Sequence, residues 1–367
     1  MTEYIVRRAD VVASFADFDI DGFLTVAPHH VAWLSGFTGS NAGLLVARDN
    51  QALATDGRYT VQAANEAPDV ELVSARNTGV ALLRRAAEFG IKRLGVEAEL
   101  ITAQTLEQLR SAAPTSVTIV PVAGVVAKQR EVKSDSELAA LRAVARIAVV
   151  AFEELVAAEI VTPGISERQV AAELEYRMRL HGADRPSFDT IVASGPNSAK
   201  PHHGASDRII AAGDLVTIDF GAYAGGYNSD MTRTLFAGGA AAAPARAREI
   251  YNIVWEAQTA GVAAARAGVS LVEVDKVCRT IIEDAGFGEQ FVHSTGHGIG
   301  IEVHEAPYAA RTGTGTLQPG MTLTIEPGIY VPGFGGVRIE DTLIITETEP
   351  EVITPLPKPR AEAPGVD

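Results

Sequence analysis

A single cysteine, Cys278, stands in 367 residues. That excludes an intramolecular disulfide and a thiolate zinc site, and it suits a reducing compartment; Cys278 itself reads as a small core residue. Long apolar runs are also missing. No segment approaches the roughly 18 consecutive apolar residues needed to cross a bilayer, and the opening residues 1–8 lack the apolar stretch of a signal peptide, so we expect a cytoplasmic protein without membrane contact. Basic charge is scarce, with 31 Lys+Arg against 46 Asp+Glu and a net charge of −15. Attraction to nucleic-acid phosphates or anionic lipid is therefore disfavoured. With 47% apolar and 21% charged residues, the composition is globular and not disordered or fibrous, and the length points to two domains.

The first part of the chain alternates short apolar runs with turn residues: Gly22-Phe-Leu-Thr-Val, Gly43-Leu-Leu-Val-Ala and Ala52-Leu-Ala-Thr, the last followed by Asp56-Gly-Arg-Tyr. These are strand signals, and amphipathic stretches such as residues 79–89 lie between them, so an α/β domain is expected over residues 1–127. The apolar run 117–126 gives way to the charged Lys128-Gln-Arg-Glu-Val-Lys, which reads as a linker and places a boundary between residues 125 and 133. Ser134 with Glu137 carries the signature of a capping box. Leu138, Leu141, Ala145, Ala148, Phe152 and Leu155 then recur at helical spacing, so a long helix opens a second domain over residues 134–350. Residues 355–367 are Pro-rich and aperiodic and read as a mobile tail.

The second domain contains a faint repeat. Gly164-Ile-Ser166 precedes an amphipathic helix that ends at His181-Gly182, and Gly268-Val-Ser270 precedes another that ends at Ala285-Gly286; both ends keep an offset of 104 residues. Each serine has a capping partner three residues on, Gln169 and Glu273. A duplication explains the constant offset economically and predicts a cleft between two halves.

Chemistry concentrates after the first repeat unit. Leu215-Val-Thr-Ile-Asp219 is a buried-strand pattern ending in an acid, and Asp230 opens a second strand eleven residues later, with Gly221, Gly225 and Gly226 between them. A hairpin brings both carboxylates to one mouth. Taken alone, the pair fits a solvated acidic hairpin as well as a cation site. Farther on, His297 lies among glycines in Ser294-Thr-Gly-His-Gly-Ile-Gly, where little bulk covers the imidazole; His293 and His304 flank it. Glu326 and Glu340 follow in apolar strand patterns, and ionised acids there need partners. Four acids with one accessible histidine form an oxygen-rich set that suits Mn, Co, Fe or Zn in an expanded shell, and five ligands accommodate two metals when carboxylates bridge.

Ile218-Asp219-Phe-Gly, Ser229-Asp230-Met-Thr-Arg, Gly296-His297-Gly-Ile-Gly with His304-Glu305, Thr324-Ile-Glu326-Pro-Gly and Val337-Arg338-Ile-Glu340-Asp together resemble the Xaa-Pro peptidases, prolidase and aminopeptidase P, of the pita-bread metallopeptidase family. Trp33-Leu-Ser-Gly-Phe-Thr-Gly-Ser and Thr55-Asp-Gly-Arg-Tyr resemble that family's creatinase-like N-terminal domain. The resemblance covers nearly the whole chain. It implies an α/β N-terminal domain and an α+β pita-bread catalytic domain with pseudo-twofold duplication, and it implies a homodimer. Two divalent ions would be held there, manganese first, with cobalt, zinc or iron as alternatives. Asp219 would chelate one ion, His297 and Glu326 the other, and Asp230 and Glu340 would bridge them. Glu326 would also carry a proton, His304 stabilise the tetrahedral intermediate, His293 line the proline pocket, and His202 stand near the scissile bond, with adjacent His203 leaving that match open. Tyr330 and Arg338 match supporting or substrate-facing positions.

The implied reaction is hydrolysis of the bond between an N-terminal residue and proline, in dipeptides or short peptides. An imide before proline lacks an N–H and has a hindered nitrogen, so it needs a strong nucleophile and a proton for the departing amine. Aminopeptidase P activity on longer Xaa-Pro-Yaa peptides is the near alternative. Creatinase-like hydrolysis and a non-catalytic peptide-binding module share the fold but not the full ligand set, and methionine aminopeptidases usually lack so large an N-terminal domain.

Overall fold

The short apolar runs at the start of the chain pair into one sheet in the computed structural model, which describes residues 3–358, 360 and 361. The chain divides into two units, Met1–Gln129 and Arg130–Asp367. In the first, strands β1 (Gly22–Thr25), β2 (Ala42–Ala47), β3 (Gln51–Thr55), β4 (Glu71–Ser74), β5 (Arg93–Glu97) and β6 (Thr118–Val122) form a sheet of order β4-β3-β2-β1-β5-β6. The β1–β2 and β2–β3 pairs are antiparallel and the other three are parallel. Helices α1 (Glu3–Ala13), α2 (Pro28–Ser35), α3 (Thr60–Glu66), α4 (Thr78–Glu88) and α5 (Ala103–Ala112) complete the unit. Leu82 and Leu83 of α4 and Leu109 of α5 pack with Leu24, Leu45 and Leu94 of the sheet, which is the α/β arrangement expected.

A four-residue turn, α6 (Ala127–Arg130), lies at the junction. The second unit then opens with the expected long helix α7 (Asp135–Ala157), started by a reciprocal capping box between Ser134 and Glu137. Its buried stripe includes Leu138, Leu141, Ala145, Ala148, Phe152 and Leu155, the residues that recur at helical spacing. Phe152 stacks on Phe220 with ring centroids 5.0 Å apart. Helix α8 (Glu167–Leu180) follows, then β7 (Arg185–Pro186), β8 (Ile191–Ser194), β9 (Leu215–Phe220), β10 (Ala222–Ala224), β11 (Tyr227–Asn228) and β12 (Met231–Phe236). Next come α9 (Ala245–Ala264), α10 (Leu271–Asp284), β13 (Gly296–Gly298), β14 (Glu305–Ala309), β15 (Thr322–Ile325), β16 (Gly328–Val331), β17 (Gly335–Arg338), β18 (Asp341–Ile344) and β19 (Glu351–Val352).

The repeat is present in the backbone. Gly164 donates to Ile210 O and Ile210 to Ile165 O; 104 residues on, Gly268 and Val269 pair in the same way with Leu317, which lies 107 residues after Ile210. Ser166 and Ser270, the N-caps of α8 and α10, each bridge an antiparallel partner, Ile209 and Thr316. Helices α9 and α10 touch at Gly261, where an added Cβ would lie 2.4 Å from Cys278 Sγ. Cys278 is the core residue its composition implied.

Two expectations need correction. The charged stretch after residue 127 is not a solvated linker throughout, because Arg130 and Lys133 are buried and paired with Glu305, and Arg130 also reaches Glu302. Charge run and exposure part company wherever acids are buried opposite. Nor are residues 355–358, 360 and 361 a free end. Arg233 donates to Thr354 O and Leu356 O at 3.1 and 2.9 Å, Trp255 Nε1 to Lys358 O at 2.6 Å, and Asn252 pairs with Ala361 through both its amide groups. Lys358 closes on Asp341 and Gln258. Backbone carbonyls satisfy buried donors here without any sequence periodicity, which is why the tail gave no signal. Residues 362–367 lie outside the described residues. Among the described residues, no helix is long and apolar enough to cross a membrane.

A chain ending at residue 352 leaves two hydrogen bonds of the buried Arg233 guanidinium unmade. It is expected to lose about 3 kcal/mol of stability, read as a lower urea midpoint at unchanged m-value.

Candidate metal centre

Strands β9 and β12 are antiparallel with Asp219 opposite Thr232, so Asp219 and Asp230 meet at one end of the hairpin as the spacing required. Glu326 directly follows β15, and Glu340 lies between β17 and β18. Two backbone hydrogen bonds hold these acids against the rest of the site: Glu326 N donates to Thr295 O at 2.8 Å and Glu340 N to Thr232 O at 3.0 Å. His297 sits in β13, its backbone N donating to Thr324 Oγ1 at 3.0 Å. The glycines around it meet a different need from the open access expected, since His297 is buried. A Cβ at Gly296 would fall 1.7 Å from Thr324 O, and one at Gly298 2.3 Å from Ala306 O. The flanking strands approach too closely for any side chain.

All five predicted ligands converge. His297, Glu326 and Glu340 present ligand atoms within 4.8 Å of one another, as do Asp219, Asp230 and Glu340. The two triads share Glu340. A third group joins Asp230 and His297 to His304, whose ring meets His297 edge-on at 4.3 Å. His297 Nε2 stands 3.3 Å from Glu326 Oε1 and 3.7 Å from Asp230 Oδ2, and its Nδ1 lies 3.0 Å from Gly298 O. Thr232 Oγ1 donates to Glu340 Oε2 at 2.8 Å.

Charge balance tests whether cations fit. Arg338 Nη2 lies 2.5 Å from Asp219 Oδ2 and His297 beside Glu326, so two carboxylates have partners of opposite sign. Asp230 has only the more distant His297, and Glu340 has no ion-pair partner among the described residues. Burial, then the charges of Glu340, Asp219 and Glu326, pushes the Asp230 carboxyl well above its usual range; burial, then Glu326 and Asp219, does the same to Glu340. Burial also raises Glu326, but the His297 hydrogen bond and charge outweigh it and the net direction is down. Burial lowers His297, and Glu326 more than reverses this. Asp219 Oδ1 and Glu340 Oε1 are buried without a hydrogen-bond partner. Carboxylate oxygens with no donor, in a site that would hold two negative charges in excess were all four acids ionised, fit divalent cations with oxygen preference.

The site opens into a cavity of about 510 Å3. Phe188, Ile191 and Tyr308 supply apolar wall, and His202, His203, His293 and His304 line it with Arg338. His293 is committed at both ring nitrogens: Nδ1 lies 2.8 Å from Ser294 O and Nε2 2.8 Å from the Tyr330 hydroxyl. Arg338 Nη1 donates to the same hydroxyl at 2.8 Å. Burial lowers the His293 pKa, so a neutral ring accepts from Tyr330 and leaves its face to the cavity. Tyr330 is buried behind His293 and does not line the cavity. His304 is exposed toward it, its pKa lowered by burial and by His297.

Sequence reading passed over Glu167. Fully buried at the start of α8, its carboxylate accepts from Ser194 N and Oγ at 2.7 Å each, from Asn197 Nδ2, and from Ser206 N and Oγ at 3.1 and 2.5 Å. It also lies 2.9 Å from His203 Nε2. Burial raises its pKa, but the donors of Ser206, Ser194, Asn197 and His203 outweigh this and hold it at about 2. The only local signal is an acid in the first turn of a helix, which usually marks dipole compensation.

A buried carboxylate cluster with a cation-fitting charge excess on a two-unit scaffold defines a metallopeptidase, and the comparisons with known proteins agree. Residues 139–347 match metallopeptidase family M24 and residues 7–132 the creatinase/prolidase N-terminal domain; the chain belongs to this family, whose members use divalent metals. It is 42% identical over 295 residues to the Xaa-Pro dipeptidase of Pyrococcus horikoshii, covering 78% of this chain and 82% of the relative. Among solved structures, the Xaa-Pro dipeptidase from Bacillus anthracis is 42% identical with a TM-score of 0.93, covering 97% of this chain and 99% of that one. The X-Pro aminopeptidase from Thermotoga maritima is 35% identical with a TM-score of 0.86, covering 95% and 98%.

Two predictions follow from the electrostatics. Manganese or cobalt at a hundredfold excess over Kd is expected to stabilise the protein by about 2.7 kcal/mol for one site, seen as a rise in melting temperature, and Asp230→Asn with Glu326→Gln is expected to abolish that rise. For Glu167, a folded pKa below the ordinary 4.5 contributes stability that is present above the unfolded value and lost as pH falls through the folded one. Wild type is therefore expected to lose about 2 kcal/mol more than Glu167→Gln between about pH 5 and about pH 2.5, measured by urea unfolding.

Proposed function

We propose that the protein hydrolyses Xaa-Pro dipeptides at a dinuclear divalent-metal centre, manganese being the favoured ion. Asp219, Asp230, His297, Glu326 and Glu340 would hold the ions. The observation that carries this reading is the pair of overlapping ligand triads that share Glu340, where burial and mutual repulsion disfavour the charge on Asp230 and Glu340 unless a cation is bound. Such ions supply Lewis acidity toward the scissile carbonyl and a more acidic attacking water. Glu326, beside His297 and at the cavity wall, receives the proton of that water and returns it to the departing proline nitrogen, which has no N–H of its own. His304, neutral and facing the cavity, donates to the oxyanion, and His202 stands at the leaving-group side. His293 offers the proline ring an apolar face, because Tyr330 and Ser294 occupy its nitrogens. Arg338 holds Asp219 and Tyr330 in place.

The likeness to the Bacillus anthracis and Pyrococcus horikoshii dipeptidases supports the dipeptide as substrate. The likeness to the Thermotoga maritima aminopeptidase supports a second reading, in which longer peptides with proline second are cut. A homodimer in the cytoplasm completes the proposal, the creatinase-like N-terminal domain supporting the first part and the single buried cysteine the second.

Turnover of Xaa-Pro against Xaa-Pro-Yaa after loading with Mn, Co or Zn tests the substrate, with higher kcat/KM on the dipeptide expected; the reverse order selects the aminopeptidase reading. Asp230→Ala and Glu340→Ala are each expected to lower turnover by about 10³ or more, and unchanged hydrolysis in either, or after exhaustive chelation, overturns the metal centre. His304→Ala is expected to lower kcat on the order of 10² to 10³ with metal content intact. Because His304 lies with Asp230 and His297 in one ligand-sized group, loss of metal in that variant makes it a ligand instead.

A further inference from the structure

His202 and His203 are adjacent and both line the cavity, so sequence alone does not tell which serves the substrate. Their hydrogen bonds do. His203 Nε2 faces the Glu167 carboxylate at 2.9 Å, and an ionised carboxylate only accepts, so that nitrogen carries its proton and spends it on Glu167. Among the described residues no such bond holds His202, which is exposed on the cavity.

The same carboxylate fastens the whole segment that carries the pair. Ser194 at its start and Ser206 after its end each give both backbone N–H and hydroxyl to Glu167, and Asn197 adds its amide between them. The segment is pinned from its other side by β17: Gly336 N donates to Ser198 Oγ at 2.8 Å, and Arg338 Nη1 to Pro201 O at 3.3 Å. The second half contains an analogous device at a position the 104-residue offset does not relate to Glu167. Asp275 of α10, buried, accepts from Thr295 N and Oγ1 and from Arg279, whose guanidinium in turn donates to Phe291 O and His293 O. Each repeated helix thus contributes one buried acid that holds a loop carrying a cavity histidine.

We propose that Glu167 is a positioning residue of the catalytic machinery: by clamping residues 194–206 and engaging His203, it makes His203 the anchor and presents His202 to the substrate. This rests on the reading that His202 acts at the leaving-group side of the peptide. Glu167→Gln keeps the shape but turns an amide N–H toward donors that need an acceptor.

The test is a double-mutant cycle of Glu167→Gln and His202→Ala in the metal-loaded protein, with metal content measured throughout. Glu167→Gln is expected to lower kcat about 10-fold to 100-fold, with KM and metal content changed less than about twofold, since misplacement of about 1 Å costs on that scale. In the His202→Ala background the same substitution is expected to lower kcat less than about twofold. His203→Ala is expected to reproduce the Glu167→Gln loss and to add nothing to it. An undiminished loss in the His202→Ala background overturns the proposal, as it shows an effect that bypasses His202. Full turnover by His202→Ala alone removes instead the role given to His202 in the proposed function, and the positioning role with it. Should Glu167→Gln fail to fold, Ser206→Ala, which removes one donor from the same carboxylate, runs through the same cycle with a smaller factor and the same criterion.

Discussion

Mutual repulsion among four converging carboxylates, Asp230 and Glu340 of them buried, is the constraint on which the second unit is built. Like charges a few ångströms apart raise one another's pKa values, and burial adds to the penalty, so such a cluster exists only where surrounding structure prevents the acids from turning away. Each acid is accordingly fixed at a strand end. Asp219 and Asp230 stand across a hairpin, while Glu326 and Glu340 are tied through backbone N–H groups to Thr295 O and Thr232 O. Arg338 answers Asp219 and His297 answers Glu326, which leaves Asp230 and Glu340 as the least compensated pair. The site is thereby made to want cations and little else.

Residues adjoining the site in the chain are anchored as firmly as the site itself. Asp341, next to Glu340, is buried with Arg233, Gln258 and Lys358, and Glu305, next to His304, with Arg130 and Lys133. Arg233 also donates to Glu340 O. Strand alternation sends neighbouring side chains to opposite faces, so one face presents a functional group while the next residue locks the backbone from behind. The partners of these locks come from the segment after residue 127 and from the tail near residue 358, which explains why both charged stretches are ordered.

The two repeated helices follow a similar logic, though through acids at non-equivalent positions. Helices α8 and α10 each begin at a serine cap and each carry a buried acid, Glu167 or Asp275, that gathers backbone N–H and hydroxyl donors from a loop beside the cavity. Both halves therefore place the candidate ligands at strands or their ends and cavity-lining histidines on clamped loops. Division of labour of this kind lets rigid strands hold the costly charges while loops shape the cavity.

Much of this was legible in the sequence by itself. Apolar strand patterns ending in Asp219, Glu326 and Glu340, the eleven-residue hairpin spacing to Asp230 and the glycine-set His297 single out the candidate ligands, because strand period and turn residues fix which side chains reach a strand end. The stripe along α7 was legible for the same local reason. Tertiary structure alone decided the rest. Arg130, Lys133 and the tail look solvated by composition, and their burial depends on acids and carbonyls that are distant in sequence. The glycines at 296 and 298 answer strand approach and not ligand access. Glu167 is an ordinary first-turn acid until Ser194, Asn197, His203 and Ser206 close on it. Periodicity reports which face of an element is apolar; it does not report which distant donor meets a buried charge, and that pairing exists only once the chain has folded.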